Sequence, residues 1–381
     1  MKRNRIWVGT VLAMLAGSCF AVKPPDIKTA FAAYGDDETM PGFVSCIYAE
    51  GETRIDCIGY ADIASKRKIS ENDLFWIASN SKGIACALVL TFVDEGKISL
   101  DAPVEQYLPE WRDIRVHGQV PKKKPTVRMV MGHRSGLPFF PSMPISQYPM
   151  RLLASKAVAR GLDYEPDSEY RYSNWGIDIA VAICEVVAGG EPWDRLLKRR
   201  VLEPLGMNDT LFFPGEKEMR RMATSYRMDA AGKEPPKPIT VDQLTFPYDR
   251  APAYPEAGGG LFATPLDMMR FCRMIASGGL LPDGKRFLSE KAMAEWTGVL
   301  TGRDSWYTFG MEAHPAKGTL GHGGAYGTMA FANWKNNTVR IYFVQVAGNS
   351  PASKERYETW ARLTWPCLET PVKKEEGGKG K

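Results

Sequence analysis

The chain reads Leu74-Phe75-Trp76-Ile77-Ala78-Ser79-Asn80-Ser81-Lys82 where an apolar run meets the start of an apolar helix. Apolar residues then repeat at helical spacing from Ile84 to Val93, and Gly96 is the predicted stop. Residues three apart lie on one face of a helix, so the Lys82 amine can reach the Ser79 hydroxyl. A serine beside an amine that can take its proton is a candidate covalent nucleophile.

The same Ser-x-x-Lys spacing also occurs from Ser65 to Lys68, which we interpret as a solvated turn between strands. Short motifs arise by chance, so the spacing alone favours a surface serine and a surface lysine. The apolar setting of Ser79, together with two motifs further along the chain, distinguishes it from Ser65.

The first of these motifs is Tyr172-Ser173-Asn174, the only Tyr-x-Asn in the chain. A tyrosine whose phenolate is stabilised by a lysine can act as general base on a serine, and the asparagine can hold the lysine and a substrate amide together. Taken alone, the motif is more typical of a loop tyrosine next to an asparagine cap.

The second motif is the glycine-rich stretch Gly321-His322-Gly323-Gly324-Ala325-Tyr326-Gly327. Glycines at a strand edge permit close approach of the backbone to a ligand. A backbone N–H from this stretch, together with that of Ser79, could form an oxyanion hole. Alone, the stretch is simply a glycine-rich turn.

The three motifs in this order resemble those of the serine β-lactamase and penicillin-binding superfamily, and most of all its class C branch, which also holds esterases and D-amino-acid peptidases. The connecting segments 93–104, 133–138, 203–207 and 258–261 also resemble the family's sequences. The resemblance therefore covers nearly all of the chain after residue 21.

The resemblance implies a role for each residue of the site and implies no cofactor. Ser79 would be the acylated nucleophile, and Lys82 and Tyr172 would share the role of base. The implied substrate contacts are Asn174, His322 in place of the family's third-motif cation, Gly323, Gly324, and Ala325, whose backbone N–H would form the oxyanion hole with that of Ser79.

The chain departs from the family pattern at the third motif. β-Lactamases of this branch usually have Lys-Thr-Gly there, and its esterases tolerate several residues, whereas this chain has His322-Gly323-Gly324. A histidine is mostly neutral at pH 7 and Gly323 has no hydroxyl, which could remove roughly 2–4 kcal/mol of carboxylate recognition.

We therefore expect a serine hydrolase that is esterase-like on carboxylic esters or amides rather than a potent β-lactamase. The first alternative is a D-Ala-D-Ala carboxypeptidase, a penicillin-binding protein or a weak β-lactamase. A non-catalytic binding protein of the cell envelope is the second alternative.

Strands at both ends of the chain and helices between them predict an α/β fold of the α+β type. We expect an antiparallel sheet flanked by helices, with an inserted, mainly helical lobe. The sheet lobe would comprise about 22–96 and 246–370, and the helical lobe about 97–245. The stretch 214–256 is rich in charge and proline and is interpreted as long surface loops.

Residues 1–21 are interpreted as a signal peptide, with Lys2, Arg3 and Arg5 before a short apolar run and cleavage after Ala21. The competing interpretation is lipidation at Cys19, which would attach the protein to a membrane. Either interpretation predicts an exported protein, periplasmic or secreted. Residues 371–381 are interpreted as a disordered tail.

The formal net charge of +5 does not indicate a nucleic-acid surface. The first five residues contribute +3 and the tail after Val372 contributes +2, so the body between them carries no net charge. The expected partner is a small-molecule or peptidoglycan-like substrate, and the oligomeric state stays open.

Two cysteines flank a predicted hairpin turn. A two-residue turn at Gly51-Glu52 would place Cys46 opposite Cys57, and a disulfide could form there in an oxidising compartment. Such a pair would occupy a hydrogen-bonded site with a larger Cα separation, so the sequence leaves the disulfide and two free thiols equally open. No cysteine or histidine spacing indicates a metal site.

Overall fold

A six-stranded antiparallel sheet is built from the two ends of the chain, as the sequence predicts. The computed structural model describes residues 25–35, 37–139, 148–241, 254–298, 306–348 and 350–367. The predicted signal peptide, Cys19 and the tail 371–381 lie outside these ranges.

The strands, in chain order, are β1 Phe43–Ala49, β2 Glu52–Ile58, β3 Tyr60–Asp62, β4 Arg67–Lys68, β5 Phe75–Trp76, β6 Ser225–Arg227, β7 Lys237–Ile239, β8 Phe262–Ala263, β9 Glu312–His314, β10 Thr319–Gly323, β11 Met329–Asn333, β12 Thr338–Phe343 and β13 Val346–Ala347. The order of strands in the large sheet is β2-β1-β12-β11-β10-β9. Val44 of β1 pairs with Phe343 of β12, which joins opposite ends of the chain.

The α-helices are α1 Ile27–Ala30, α2 Ser81–Asp94, α3 Val127–Met131, α4 Met150–Arg160, α5 Asn174–Val187, α6 Trp193–Leu197, α7 Glu203–Leu205, α8 Glu216–Met219, α9 Pro265–Ala276, α10 Glu290–Thr297 and α11 Pro351–Thr364. Short 3₁₀-helices lie at Ala32–Tyr34, Ala78–Asn80, Val104–Gln106, Pro109–Asp113 and Trp365–Cys367, and Lys198–Leu202 is a π-helix. No helix in the described part of the chain is both long and apolar enough to cross a membrane.

The sheet separates two apolar clusters. Side chains alternate along a strand, so Phe43 and Ile47 of β1 face the cluster around α11, whereas Val44 and Cys46 face the cluster that contains α2 and α9. Both faces are therefore covered, and every residue of β1 is buried. Helix α2 is buried almost all round because α5 packs against it.

Helix α9 begins with a side-chain cap. The Thr264 side chain accepts the Asp267 backbone N–H over 3.2 Å, and Pro265 occupies the first helical position. The interpretation of 214–256 as surface loops is wrong in part, because β6 and β7 form a three-stranded sheet with β13.

The predicted hairpin register, which would place Cys46 opposite Cys57, is wrong. Ala49 pairs with Glu52, so the turn lies at Glu50-Gly51, where both residues have positive φ (54° and 84°). This shifts the register by two residues: Cys46 lies opposite Ile55, and Cys57 lies opposite Val44. Both cysteines are free thiols.

Candidate active site

Ser79 lies in the tight turn between β5 and α2. The preceding residue, Ala78, has a φ of 46°, a left-handed conformation that is uncommon for a residue with a side chain. The turn is held by the pairing of β5 with β8 and by the Ile77 N–H, which donates to Leu261 O over 3.1 Å. The backbone before the nucleophile is therefore attached to the stretch that follows the glycines at 258–260.

Lys82 is completely buried and directly contacts Ser79. Its Nζ lies 3.1 Å from Ser79 Oγ and donates to Gly258 O over 2.5 Å. Burial lowers the pKa of Lys82 to about 7, because the charged amine loses its hydration. A substantial fraction of the amine is therefore neutral near pH 7 and has a lone pair for the Ser79 proton.

Tyr172 completes the group around the serine. Burial raises the pKa of Tyr172 to about 12, although its hydrogen bond with Ser79 acts in the opposite direction. Lys82 Nζ lies 4.6 Å from the centre of the Tyr172 ring. The phenol is therefore protonated at neutral pH, and of the two predicted bases Lys82 is the one in a basic form.

The start of α5 is held by hydrogen bonds to the segment 133–139. The Ser173 N–H donates to His133 Nδ1 over 3.1 Å, and the Ser173 hydroxyl donates to Pro138 O over 2.6 Å. Asn174 N donates to Phe139 O over 2.9 Å. These bonds place Tyr172 and Asn174 at the site, and they give His133 a positioning role that the sequence did not indicate.

Two carboxyl groups near Lys82 were also missed. Glu256 accepts a hydrogen bond from the Asn174 side chain, and its charge raises the pKa of Lys82 against the effect of burial. Asp178 is completely buried, and its Oδ1 accepts the Ala257 N–H over 2.9 Å. Burial raises the pKa of Asp178 well above its ordinary value. One available signal was the position of Asp178, four residues after Asn174 on the same helix face.

His322 lies in β10, buried and facing Tyr172. Its Nε2 lies 2.7 Å from the Tyr307 hydroxyl and 3.3 Å from the Tyr172 hydroxyl, and its Nδ1 lies 2.6 Å from Gly323 O. Burial, and secondarily the charge of Lys82, lowers the pKa of His322 to about 3. His322 is therefore a neutral imidazole and does not replace the family's cation at this position.

The glycine-rich turn after β10 packs on the nucleophile turn. A Cβ added to Gly324 would lie 2.1 Å from Thr328 Oγ1 and 2.6 Å from Ile77 O, so only glycine fits there. Asn80 Nδ2 donates to Thr328 O over 3.1 Å. Ala325 is exposed beside this contact. Its N–H and that of Ser79 remain the predicted oxyanion donors.

Aromatic side chains surround the site, and their burial separates core residues from lining residues. Trp175 is fully buried and belongs to the core. Trp76 is half-buried, donates from Nε1 to Gly259 O over 2.7 Å and packs edge-on against Tyr326 at 4.9 Å.

Across the described residues, no group of three or more histidine, cysteine or acidic side chains could hold a metal ion.

Comparison with known proteins places these motifs in a family. A family model described as β-lactamase matches residues 27–363. The chain is 28% identical over 380 residues to Protein Rv1367c of Mycobacterium tuberculosis, which covers 84% of this chain and 92% of that protein. It is 28% identical over 319 residues to the esterase EstB of Burkholderia gladioli, which covers 72% of this chain and 78% of that protein.

Among solved structures, a family VIII carboxylesterase superposes with a TM-score of 0.71 at 24% identity, over 89% of this chain and 96% of that one. This likeness confirms the fold predicted from the motifs. The chain belongs to the β-lactamase family, whose serine hydrolases include esterases, carboxypeptidases and penicillin-binding proteins.

Proposed function

We propose that the protein is a serine esterase that hydrolyses neutral carboxylic esters through an acyl-enzyme on Ser79. The observation that carries the proposal is the buried Lys82 amine, 3.1 Å from Ser79 Oγ with a pKa lowered to about 7. An amine of this kind can act as base at neutral pH without a histidine. Similarity to EstB agrees with an ester substrate.

In the proposed reaction, the Ser79 proton passes to neutral Lys82 while Oγ forms a bond to the ester carbonyl carbon. The backbone N–H groups of Ser79 and Ala325 stabilise the resulting oxyanion. The oxyanion collapses and the bond to the leaving oxygen breaks, and that oxygen takes the proton from the Lys82 ammonium. Water then gives a proton to Lys82 while its oxygen adds to the acyl carbonyl carbon. The bond from that carbon to Ser79 Oγ breaks, Oγ takes the proton back from Lys82, and the carboxylic acid leaves.

Neutral substrates are proposed because no cation is available at the third motif. A β-lactam or a D-Ala-D-Ala peptide carries a carboxylate near its scissile bond, and a neutral imidazole cannot form a charge-assisted bond with it. An ester without a carboxylate has no group that would pair with a cation at this position, so the neutral imidazole does not weaken its binding.

Export is part of the proposal and depends on the first 21 residues. Mass spectrometry of protein purified from a bacterial host would test it. A mature chain that begins at Val22 supports cleavage by a signal peptidase, and a lipidated chain that begins at Cys19 supports membrane attachment. A chain that keeps residues 1–21 contradicts export.

The activity is tested with three substrates in parallel: a short-chain p-nitrophenyl ester, a chromogenic cephalosporin and a D-Ala-D-Ala peptide. A fluorophosphonate probe reports covalent labelling of the serine. We expect ester hydrolysis and labelling that Ser79→Ala abolishes. Ser65→Ala is the matched control, because Ser65 begins the second Ser-x-x-Lys and is exposed in a turn.

The outcomes separate the candidate functions. Preferential cleavage of the peptide or the cephalosporin would replace the esterase proposal with one of the alternatives. Protein that cleaves none of the substrates and takes up no probe would be a binding protein. Activity that survives Ser79→Ala would assign the nucleophile elsewhere.

A further inference from the structure

Tyr307 is a buried tyrosine whose hydroxyl lies between two residues of the site. The hydroxyl lies 2.7 Å from His322 Nε2 and hydrogen-bonds with Tyr172 as well. Its ring packs against the rings of His133 at 4.7 Å and Tyr172 at 5.6 Å. None of the sequence motifs includes this residue.

The hydrogen bonds of His322 determine which ring nitrogen carries the proton. A backbone carbonyl only accepts hydrogen bonds, so Nδ1, 2.6 Å from Gly323 O, must be the protonated nitrogen. In a neutral imidazole, Nε2 then has a lone pair and accepts. The Tyr307 hydroxyl is the nearer of its two phenol neighbours, at 2.7 Å against 3.3 Å for Tyr172.

The protonation of both partners is consistent with this assignment. Burial raises the pKa of Tyr307 well above its ordinary value, so the phenol keeps the proton that it donates. Burial also keeps His322 neutral. The lone pair of Nε2 lies in the ring plane and accepts one strong hydrogen bond, which Tyr307 supplies.

We propose that Tyr307 is a positioning residue: its O–H donates to His322 Nε2 and holds the Nδ1–H tautomer, and its oxygen accepts the hydrogen of Tyr172, so that the Tyr172 oxygen is left to accept from Ser79. The consequence for Tyr172 and for catalysis rests on the proposed function. The assignment of the His322 tautomer is independent of that function.

The arrangement also limits the substrate class. The one N–H of His322 is used by Gly323 O, and the other ring nitrogen has no hydrogen to donate. The imidazole therefore offers no donor to a substrate carboxylate. The substrates that fit are acyl compounds without a carboxylate next to the scissile bond.

Removal of the Tyr307 hydroxyl would free Nε2. The Tyr172 hydroxyl then loses the oxygen that accepts its hydrogen and is the nearest remaining phenol to Nε2, so we expect it to turn from Ser79 towards His322. The loss of one neutral hydrogen bond predicts a fall of roughly 3- to 10-fold in kcat for Tyr307→Phe on a neutral p-nitrophenyl ester, with KM little changed. Tyr170→Phe is the matched control, since Tyr170 packs at 5.7 Å from the Tyr307 ring but does not contact His322.

The tautomer is tested by long-range ¹H–¹⁵N correlation NMR of protein labelled at its four histidines. His322→Gln identifies the His322 signals by their loss. We expect the wild type to show a protonated Nδ1 and an unprotonated Nε2 with no titration between about pH 5 and 8. In Tyr307→Phe the Nε2 signal should shift, whereas Tyr170→Phe should leave it unchanged.

A protonated Nε2 in the wild type, or His322 signals unchanged in Tyr307→Phe, would overturn the proposal. The wild-type spectrum decides this point even if Tyr307→Phe does not fold. A kcat that falls equally in Tyr170→Phe would reduce Tyr307 to a packing residue. These spectra need no enzymatic activity. Failure of the esterase proposal in the substrate assays can therefore be distinguished from failure of the tautomer assignment.

Discussion

The side-chain amide of Asn174 donates a hydrogen bond to Oε1 of Glu256 over 3.0 Å. This bond fixes a carboxylate close enough to Lys82 to influence its ionisation: burial lowers the pKa of the amine, and the charge of Glu256 raises it. The ionisation of the proposed base therefore depends on a residue outside the three motifs.

Replacement of this carboxylate should change the pH at which the enzyme works. Glu256→Gln keeps an oxygen for the Asn174 amide but removes the charge, so the pKa of Lys82 should fall. In the pH profile of probe labelling at Ser79, the acid limb should then move to lower pH. Glu185→Gln is the control, a half-buried glutamate on α5 that contacts the Trp193 backbone instead. A limb that stays in place or moves to higher pH would contradict the influence of Glu256.

The wild-type pH profile should report Lys82. Acylation needs the neutral amine, whose fraction grows as pH rises through a pKa of about 7, so labelling should increase between pH 6 and 8 and then level off. Lys82→Arg keeps a cation but no base at this pH, and it should lower labelling by roughly 10²-fold or more. A rate that keeps rising towards pH 12 would instead assign the base role to the Tyr172 phenolate.

A lysine at the third motif should restore recognition of carboxylates. His322→Lys places a cation where the neutral imidazole lies, and a charge-assisted bond should raise acylation by carboxylate-bearing β-lactams roughly 10-fold relative to neutral esters. His322→Gln is the neutral control and should leave this ratio low. An unchanged ratio in His322→Lys would show that the third motif does not face the substrate carboxylate.

The two buried histidines should make stability fall in acid. Burial lowers the pKa of both His133 and His322, so each stays neutral in the folded state while the unfolded chain takes up a proton below about pH 6.5. Each histidine should therefore cost up to about 1.4 kcal/mol of unfolding free energy for each pH unit between about 6.5 and the lower pKa that it has in the folded state.

Urea unfolding between pH 4 and 7 measures this slope, and His322→Gln should make it shallower. The control is His117→Gln, which changes an exposed histidine. Equal slopes in the wild type and His322→Gln would mean that His322 takes up its proton in the folded state too.

Two adjacent glycines give a matched test of packing at the site. A Cβ on Gly258 would lie 2.7 Å from Asn174 Cβ, whereas a Cβ on Gly259 would meet nothing closer than 3.5 Å. Gly258→Ala should displace Asn174 and the carbonyl that binds Lys82, with a loss of roughly 1–3 kcal/mol in stability and a slower acylation. Gly259→Ala should behave like the wild type, and a similar loss in both variants would remove the steric explanation.

The motifs were sufficient to predict the fold class and to single out Ser79, because the three-residue spacing that brings Lys82, in the first turn of α2, to Ser79, in the turn just before it, is a local property of the sequence. The register of the first hairpin was not predictable in this way. Glu50, an unfavourable residue for positive φ, occupies the first turn position while Gly51 occupies the second, and the apolar faces of the sheet fix the pairing.

Glu256 and Tyr307 were missed for a different reason. Each reaches the site from a distant part of the chain, Glu256 through a contact with α5 and Tyr307 through a contact with β10. No spacing along the sequence encodes such contacts. His322 was correctly expected to be uncharged near pH 7, but its partners became visible only in the folded structure.

The pairing of β1 with β12 has a kinetic consequence. Closing a loop that spans most of the chain is entropically costly, and folds dominated by such non-local pairings form slowly. The ribosome must release the chain as far as Phe343 before β1 can pair with the whole of β12, and the sheet that places β10 and His322 beside Ser79 cannot be complete earlier. A nascent chain that stops short of β12 should therefore lack a complete site and expose apolar surface that chaperones and proteases can bind.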